Sequence, residues 1–261
     1  MAEHYEHGQA TAVGRDGESG ATAGGGAAGG GVIPARVYLQ PIAPPVSLGL
    51  WGFFGSTMVL STWMLHWWGT PTSPVYFFAF NAAFGGVAQF LAGLWSFRAR
   101  DYIASSLLTM WGTFWMAWGL MQGLAVAHLI PVLPPTTPNP ALAVWFIPLA
   151  LFTLAGSLAA LSPKAGNFPL FLLLFTVGAG AACVCGGFWT GSTLWQDVAA
   201  WLFIVGACTA WYVGAMAMLH DAWRRVILPL GAFRKQANIP GHRSLYPSEY
   251  VYGQPGVRHG Q

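Results

Sequence analysis

The side chains able to do chemistry in this chain are few and stand far apart. In the stretch Asn81 to Trp95, NAAFGGVAQFLAGLW, an amide, Gln89, lies one turn beyond two adjacent glycines, Gly85 and Gly86. Glycines thin a helix, so that another backbone or a passing molecule can come close. An amide carries two donors and an acceptor. In hydrocarbon it costs a few kcal/mol unless it finds a partner. Gln89 is therefore expected to face protein or water rather than lipid. Asn81, Thr109, Thr113, Gln122, Thr153 and Thr176 are the other neutral polar groups inside long apolar stretches.

Charged chemistry is missing from those stretches. No Lys, Arg, Asp or Glu falls in the middle of one; Asp197, near the start of the last, is the one acidic group on its side. Proton pumps, voltage sensors and ion-coupled antiporters use intramembrane charge, so a path through this chain is expected to be lined by neutral polar and aromatic groups. His66, His128 and His220 fall near segment ends, which fits interfacial histidines better than ligands facing each other across a bundle. Cys183, Cys185 and Cys208 lie in apolar segments and read as small buried side chains; their spacing fits neither a disulfide framework nor a metal site. No Ser-His-Asp, CxxC or HExxH pattern appears. No cofactor, no metal and no enzymatic activity are expected.

The elements that must position these groups follow from composition. Of 261 residues only 7% are charged and 55% are hydrophobic, against about 25% charged in a soluble domain. The fold class is an all-α membrane protein, held in the lipid bilayer. Many of the 14 Trp lie near segment ends, as in interfacial belts. The net charge of +3 is spread over tails and loops and is no footprint for nucleic acid.

Six apolar stretches are each long enough to span about 30 Å of hydrocarbon as a helix. They run about Val46 to Trp68, Val75 to Phe97, Tyr102 to Leu129, Ala141 to Leu161 (with Pro148 inside), Phe168 to Trp189 and Trp195 to His220. Pro131 to Pro140 is a rigid connection. The domains are then a Gly/Ala-rich tail over 1–45, expected to be disordered and to carry no cleavable signal, a six-transmembrane-helix bundle over 46–222, and a basic tail over 223–261. Arg15, Arg36, Arg98, Arg100, Lys164 and the six basic residues after the last helix all fall on one side of this arrangement. The positive-inside rule places both termini in the cytoplasm. Ridges Gly178/Ala182/Gly186 and Gly206/Ala210/Gly214 favour close helix packing.

From Leu48-Gly49-Leu50-Trp51-Gly52-Phe53 onward the chain resembles the acetate uptake transporter family, the succinate–acetate permeases. The likeness continues through Phe84 to Gln89, Ala92-Gly93-Leu94, Trp111 to Trp115, and Gly206-Ala207 to Tyr212. It ends at Val226 to Gly231, so it covers about 45 to 231. Where the family begins its first helix with Asn-Pro-Ala-Pro, this chain has Pro44-Pro45-Val46-Ser47, keeping one Pro and offering Ser47 as a replacement hydrogen-bonding group. The resemblance implies a homohexamer with one path through each subunit. It implies a constriction at Phe53, Trp111 and either Leu174 or Phe175, with Ser47, Leu48 and Gly49 at the inlet. Asn81, Gly85, Gly86, Gln89 and Thr113 complete the expected path. Acetate and other short monocarboxylic acids are the implied cargo, and the plasma membrane the expected location. A channel for ammonia or another small neutral solute is the alternative.

A carboxyl of pKa about 4.3 is neutral in roughly one molecule in 500 at pH 7, a cost of about 3.7 kcal/mol. Bringing the bare anion into a dry interior ideally costs of order 20 kcal/mol, and several even after relaxation. An uncharged constriction therefore favours the neutral acid, or a proton travelling with the anion.

Overall fold

The computed structural model describes residues 43–131, 133–134, 136–162, 166–223 and 225–233. The expected tails, apart from 43–45 and 223–233, lie outside the described residues. Six continuous helical runs are present among the described residues: α1 (Val46–Met64), α2 (Pro74–Ala99), α3 (Tyr102–Val126), α4 (Pro140–Ala160), α5 (Phe168–Thr190) and α6 (Thr193–Trp223). By length and apolarity α2, α4, α5 and α6 are able to cross a membrane. The other two are less apolar because α1 spends positions on Gly, Ser and Thr and α3 on Ser, Thr, Trp and Gln.

Helix starts follow from local chemistry. Asp101, Asn139 and Asn167 cap α3, α4 and α5, their side-chain oxygens accepting from the backbone N–H of Ala104 (2.9 Å), Leu142 (3.3 Å) and Leu170 (2.8 Å). Pro140 and Pro169 occupy the first turns, where a missing N–H costs nothing. Burial pushes the Asp101 carboxyl above its ordinary range, while backbone hydrogen bonds from Ala104 and Ile103 pull it back.

Two ends differ from the sequence expectation. α1 stops at Met64 and α3 at Val126, each a few residues early. His66 (φ 57) and His128 (φ 59) adopt the left-handed conformation there. Backbone bonds Trp67 N–H to Thr62 O (3.1 Å) and Leu129 N–H to Leu124 O (2.9 Å) close the two helices. That bonding is usual for a glycine at this position.

α2 changes winding along its length. Residues Ala82–Ala88 form a π-helical stretch between α-helical turns. It contains Gly85 and Gly86, both buried. A Cβ on Gly85 would meet Ser56 Oγ at 2.6 Å and Trp115 at 2.8 Å; one on Gly86 would meet Met116 at 2.7 Å. The wider turn thus settles where α1 and α3 press closest.

Glycine notches set the other interfaces. Gly112 of α3 lies on the α2 backbone at Phe90, and Gly178 of α5 on Leu154 of α4. The ridge on α6 is used within the subunit: Gly206 faces Val177 and Thr176 of α5, Ala210 is fully buried, and Gly214 faces Trp51 and Leu50 of α1. On the α5 ridge Gly178 is buried but Ala182 is exposed. The buried face of α4 repeats at Ala143, Phe146, Leu149, Ala150, Thr153, Ser157 and Ala160, a helical stripe.

Beyond α6 the chain turns back. Val226, Leu230 and Ala232 are buried. The Tyr212 hydroxyl donates to Pro229 O (2.6 Å), Phe168 N–H donates to Gly231 O (2.8 Å), and Asn167 bridges Ala232. This returning segment fastens the end of α6 to the start of α5.

Candidate functional site

A cavity of about 970 Å³ opens at the end of the bundle where α1 and α3 finish. Its mouth is formed by Pro71, Pro74, His128, Pro131 and Thr137. Its floor is formed by Phe53 and Trp111, with Phe114, Trp115, Phe146, Val184 and Phe203 around them. From Trp111 to Val126 the cavity follows α3, fifteen residues or about 22 Å at 1.5 Å per residue. It has the size and the mainly apolar wall of a small-molecule site.

The wall is built from one face of α3. Trp111, Phe114, Trp115 and Trp118 are spaced 0, 3, 4 and 7, one side of a helix. Their rings interlock: Trp111 to Phe114 at 5.3 Å and 75°, Phe114 to Trp115 at 5.6 Å and 69°, Phe114 to Phe146 at 5.5 Å and 71°. Such edge-to-face pairs are stiff, low-energy arrangements. Phe53 meets Trp111 edge to face at 5.8 Å, closing the floor. The Trp111 indole N–H donates to Thr153 Oγ1 (3.0 Å), and the Thr153 hydroxyl donates in turn to Leu149 O (2.6 Å). The indole is therefore held at a fixed tilt across the floor.

Among the described residues the lining carries no Asp, Glu, Lys or Arg, and His128 at the mouth is its only ionisable side chain. Thr57, Gln122, Asn139 and Gln196 supply neutral polarity. Thr57 Oγ1, Trp115 Nε1 and Trp118 Nε1 on wall residues, and Ser61 Oγ, Asn81 Nδ2 and Gln89 Oε1 behind the wall, are buried with no hydrogen-bond partner among the described residues. Each such group costs about 1–3 kcal/mol, so the α1–α2–α3 seam keeps a set of stranded polar atoms in and behind the cavity wall.

The residues singled out from sequence fall into four groups. Phe53 and Trp111 meet at the floor, and Leu174 is buried in the same core. Gln89 (1% exposed) and Asn81 (3% exposed) point into the protein but do not line the cavity; they back α1 with Gly85 and Gly86. Gly49 is buried against Leu108 and Ala92, and Ser47 donates to Gly214 O (3.1 Å), tying α1 to the α6 ridge. Leu48, Thr113 and Phe175 are exposed on the outside of the bundle. Thr113 donates to Met110 O of its own helix (2.7 Å). Sequence reasoning missed Thr57, Phe114, Trp115, Trp118, Phe146 and Phe203. For the α3 group the 0, 3, 4, 7 spacing was an available signal.

A model of the GPR1/FUN34/yaaH family matches residues 27–233 of this chain. The glyoxylate pathway regulator of Yarrowia lipolytica is 30% identical over 172 residues, covering 62% of each chain. This chain therefore spans about 62% of that relative's length. The succinate-acetate/proton symporter SatP of Escherichia coli K12 is 27% identical over 196 residues, 73% of this chain and 96% of SatP. Among solved structures, that of the bacterial acetate channel SatP superposes with a TM-score of 0.65 at 24% identity, covering 73% of this chain and 100% of the other. That likeness is one of fold.

Proposed function

This chain belongs to the GPR1/FUN34/yaaH family, the acetate uptake transporters, and from that premise we propose that it passes acetate and similar short monocarboxylic acids across a membrane, as the neutral acid or with an accompanying proton. The observation that carries the reading is the funnel: a cavity of about 970 Å³ that reaches down to the Phe53–Trp111 pair and has no Asp, Glu, Lys or Arg among its described lining residues. The named activities of SatP, acetate channel and succinate-acetate/proton symporter, support the same cargo.

The neutral wall decides the form of the cargo. Protonating a carboxylate at pH 7 costs about 3.7 kcal/mol, against an ideal order of 20 kcal/mol, and still several after relaxation, for bringing the bare anion into a dry interior. Backed by aromatic rings and with no fixed cation, the Phe53–Trp111 floor favours the cheaper route. In this reading all six helices cross the plasma membrane, both termini are cytoplasmic, and the funnel opens outward. Copies assemble as hexamers, as the family resemblance implies.

The test is uptake of labelled acetate into proteoliposomes. The initial rate is expected to rise severalfold with an inward proton gradient, and equal rates with and without it sink the proton-linked form. An uncharged funnel also suits ammonia. Competition by ammonium, with none by propionate, moves the assignment to that cargo.

A further inference from the structure

The cavity is far larger than acetate needs. It is apolar and aromatic along its depth, and the one side chain on its wall able to carry charge stands at the mouth. Among the described residues His66, Tyr76, His128 and Asp197 lie toward this end of the bundle; of these only His128 lines the cavity. At the far end the Phe53–Trp111 pair is set edge to face, with the indole fixed by Thr153. The geometry is that of a slot for an amphipathic anion, head outward and tail inward, too bulky to go further.

We propose that the funnel is a binding site for medium-chain monocarboxylates of about eight carbons, held with the carboxylate at His128 and the alkyl chain against Trp118, Phe114 and Trp115, and that an acid seated there blocks the path. A carboxylate at the mouth keeps its water and gains an imidazole N–H, which is a donor in either protonation state. The chain buries apolar surface against rings already held in place, so little ordering is needed on the protein side. Blocking rests on the reading of the funnel as the inlet of a transport path; binding does not.

The experiment has two arms. In proteoliposomes, octanoate is expected to inhibit labelled acetate uptake, and octan-1-ol, with the same chain but no carboxylate, to inhibit at least tenfold less well. His128→Gly is expected to raise the half-blocking concentration of octanoate about tenfold, about 1.4 kcal/mol. Glycine suits the left-handed backbone there (φ 59), so folding is not at risk. Ala125→Trp, which places an indole inside the funnel, is expected to weaken the block as well. The second arm needs no transport: 8-bromooctanoate is expected to quench tryptophan fluorescence of the purified protein, and less so in Ala125→Trp despite its extra tryptophan. Equal block by octanol and octanoate, or block and quenching unchanged in both variants, overturns the proposal. Quenching that responds to the variants without any acetate uptake leaves the site standing and removes the transport reading.

Discussion

Trp111 has its indole committed twice, by its N–H to Thr153 and by its ring to Phe53. Trp111→Phe removes the first and shrinks the second. Thr153 keeps its own bond to Leu149 O, so the stability cost should be near the about 1 kcal/mol of one hydrogen bond. Uptake of butyrate relative to acetate is expected to rise through the wider floor, which a competition assay measures. Gln89 presents the reverse case. Its Oε1 is buried and stranded, so Gln89→Leu should leave the melting temperature unchanged or raise it. If the amide serves the path, acetate uptake falls severalfold in that well-folded variant; full uptake makes it a space-filler. Family likeness singled out Phe53 and Trp111, which the structure sets against each other, and the cost of a lone amide in hydrocarbon singled out Gln89, which is buried. The sequence could not orient Leu48 or Thr113. In a bundle surrounded by lipid both faces of a helix are apolar, so periodicity says little about which side turns inward.

At the scale of helices, α2 and α3 are joined by glycines rather than by interdigitating side chains. A Cβ on Gly112 would come within 2.6 Å of the Phe90 backbone nitrogen, and a backbone cannot step aside as a side chain can. Gly112→Ala should destabilise by roughly 1–3 kcal/mol, the usual range for overpacking. Gly55, with nothing within 4 Å of its missing Cβ, is the control: Gly55→Ala should be neutral or mildly stabilising in the same thermal melt. At the start of α3, Asp101→Ala should cost about 1 kcal/mol through the lost cap, and Asp101→Asn much less. Burial raises the Asp101 carboxyl, so the folded protein holds that proton more tightly than the unfolded chain. Its contribution is present at low pH and lost as pH rises from the ordinary carboxylate range through the folded value. A melting series from pH 4 to 8 should show this slope flattened in Asp101→Asn. Helix positions were legible to within a few residues from apolar length, prolines and aromatic belts. The π-helical stretch Ala82–Ala88 was not, because a widened turn leaves no residue signature beyond its glycines.

At the scale of the molecule, family membership and the all-helical architecture were readable from composition and from short motifs in order. The funnel was not, because it is a volume shared by six helices and no single segment announces it. The chain also does not end structurally with its last helix. Residues 226–232 are clamped back onto α6 through Tyr212 and onto the start of α5 through Phe168 and Asn167. A polypeptide stopped after Trp223 should therefore leave the first turn of α5 uncovered and melt earlier than one stopped after Phe233. For anyone attaching a reporter or shortening the gene for crystallisation, a cut where a hydropathy plot would end the last helix falls about ten residues too early.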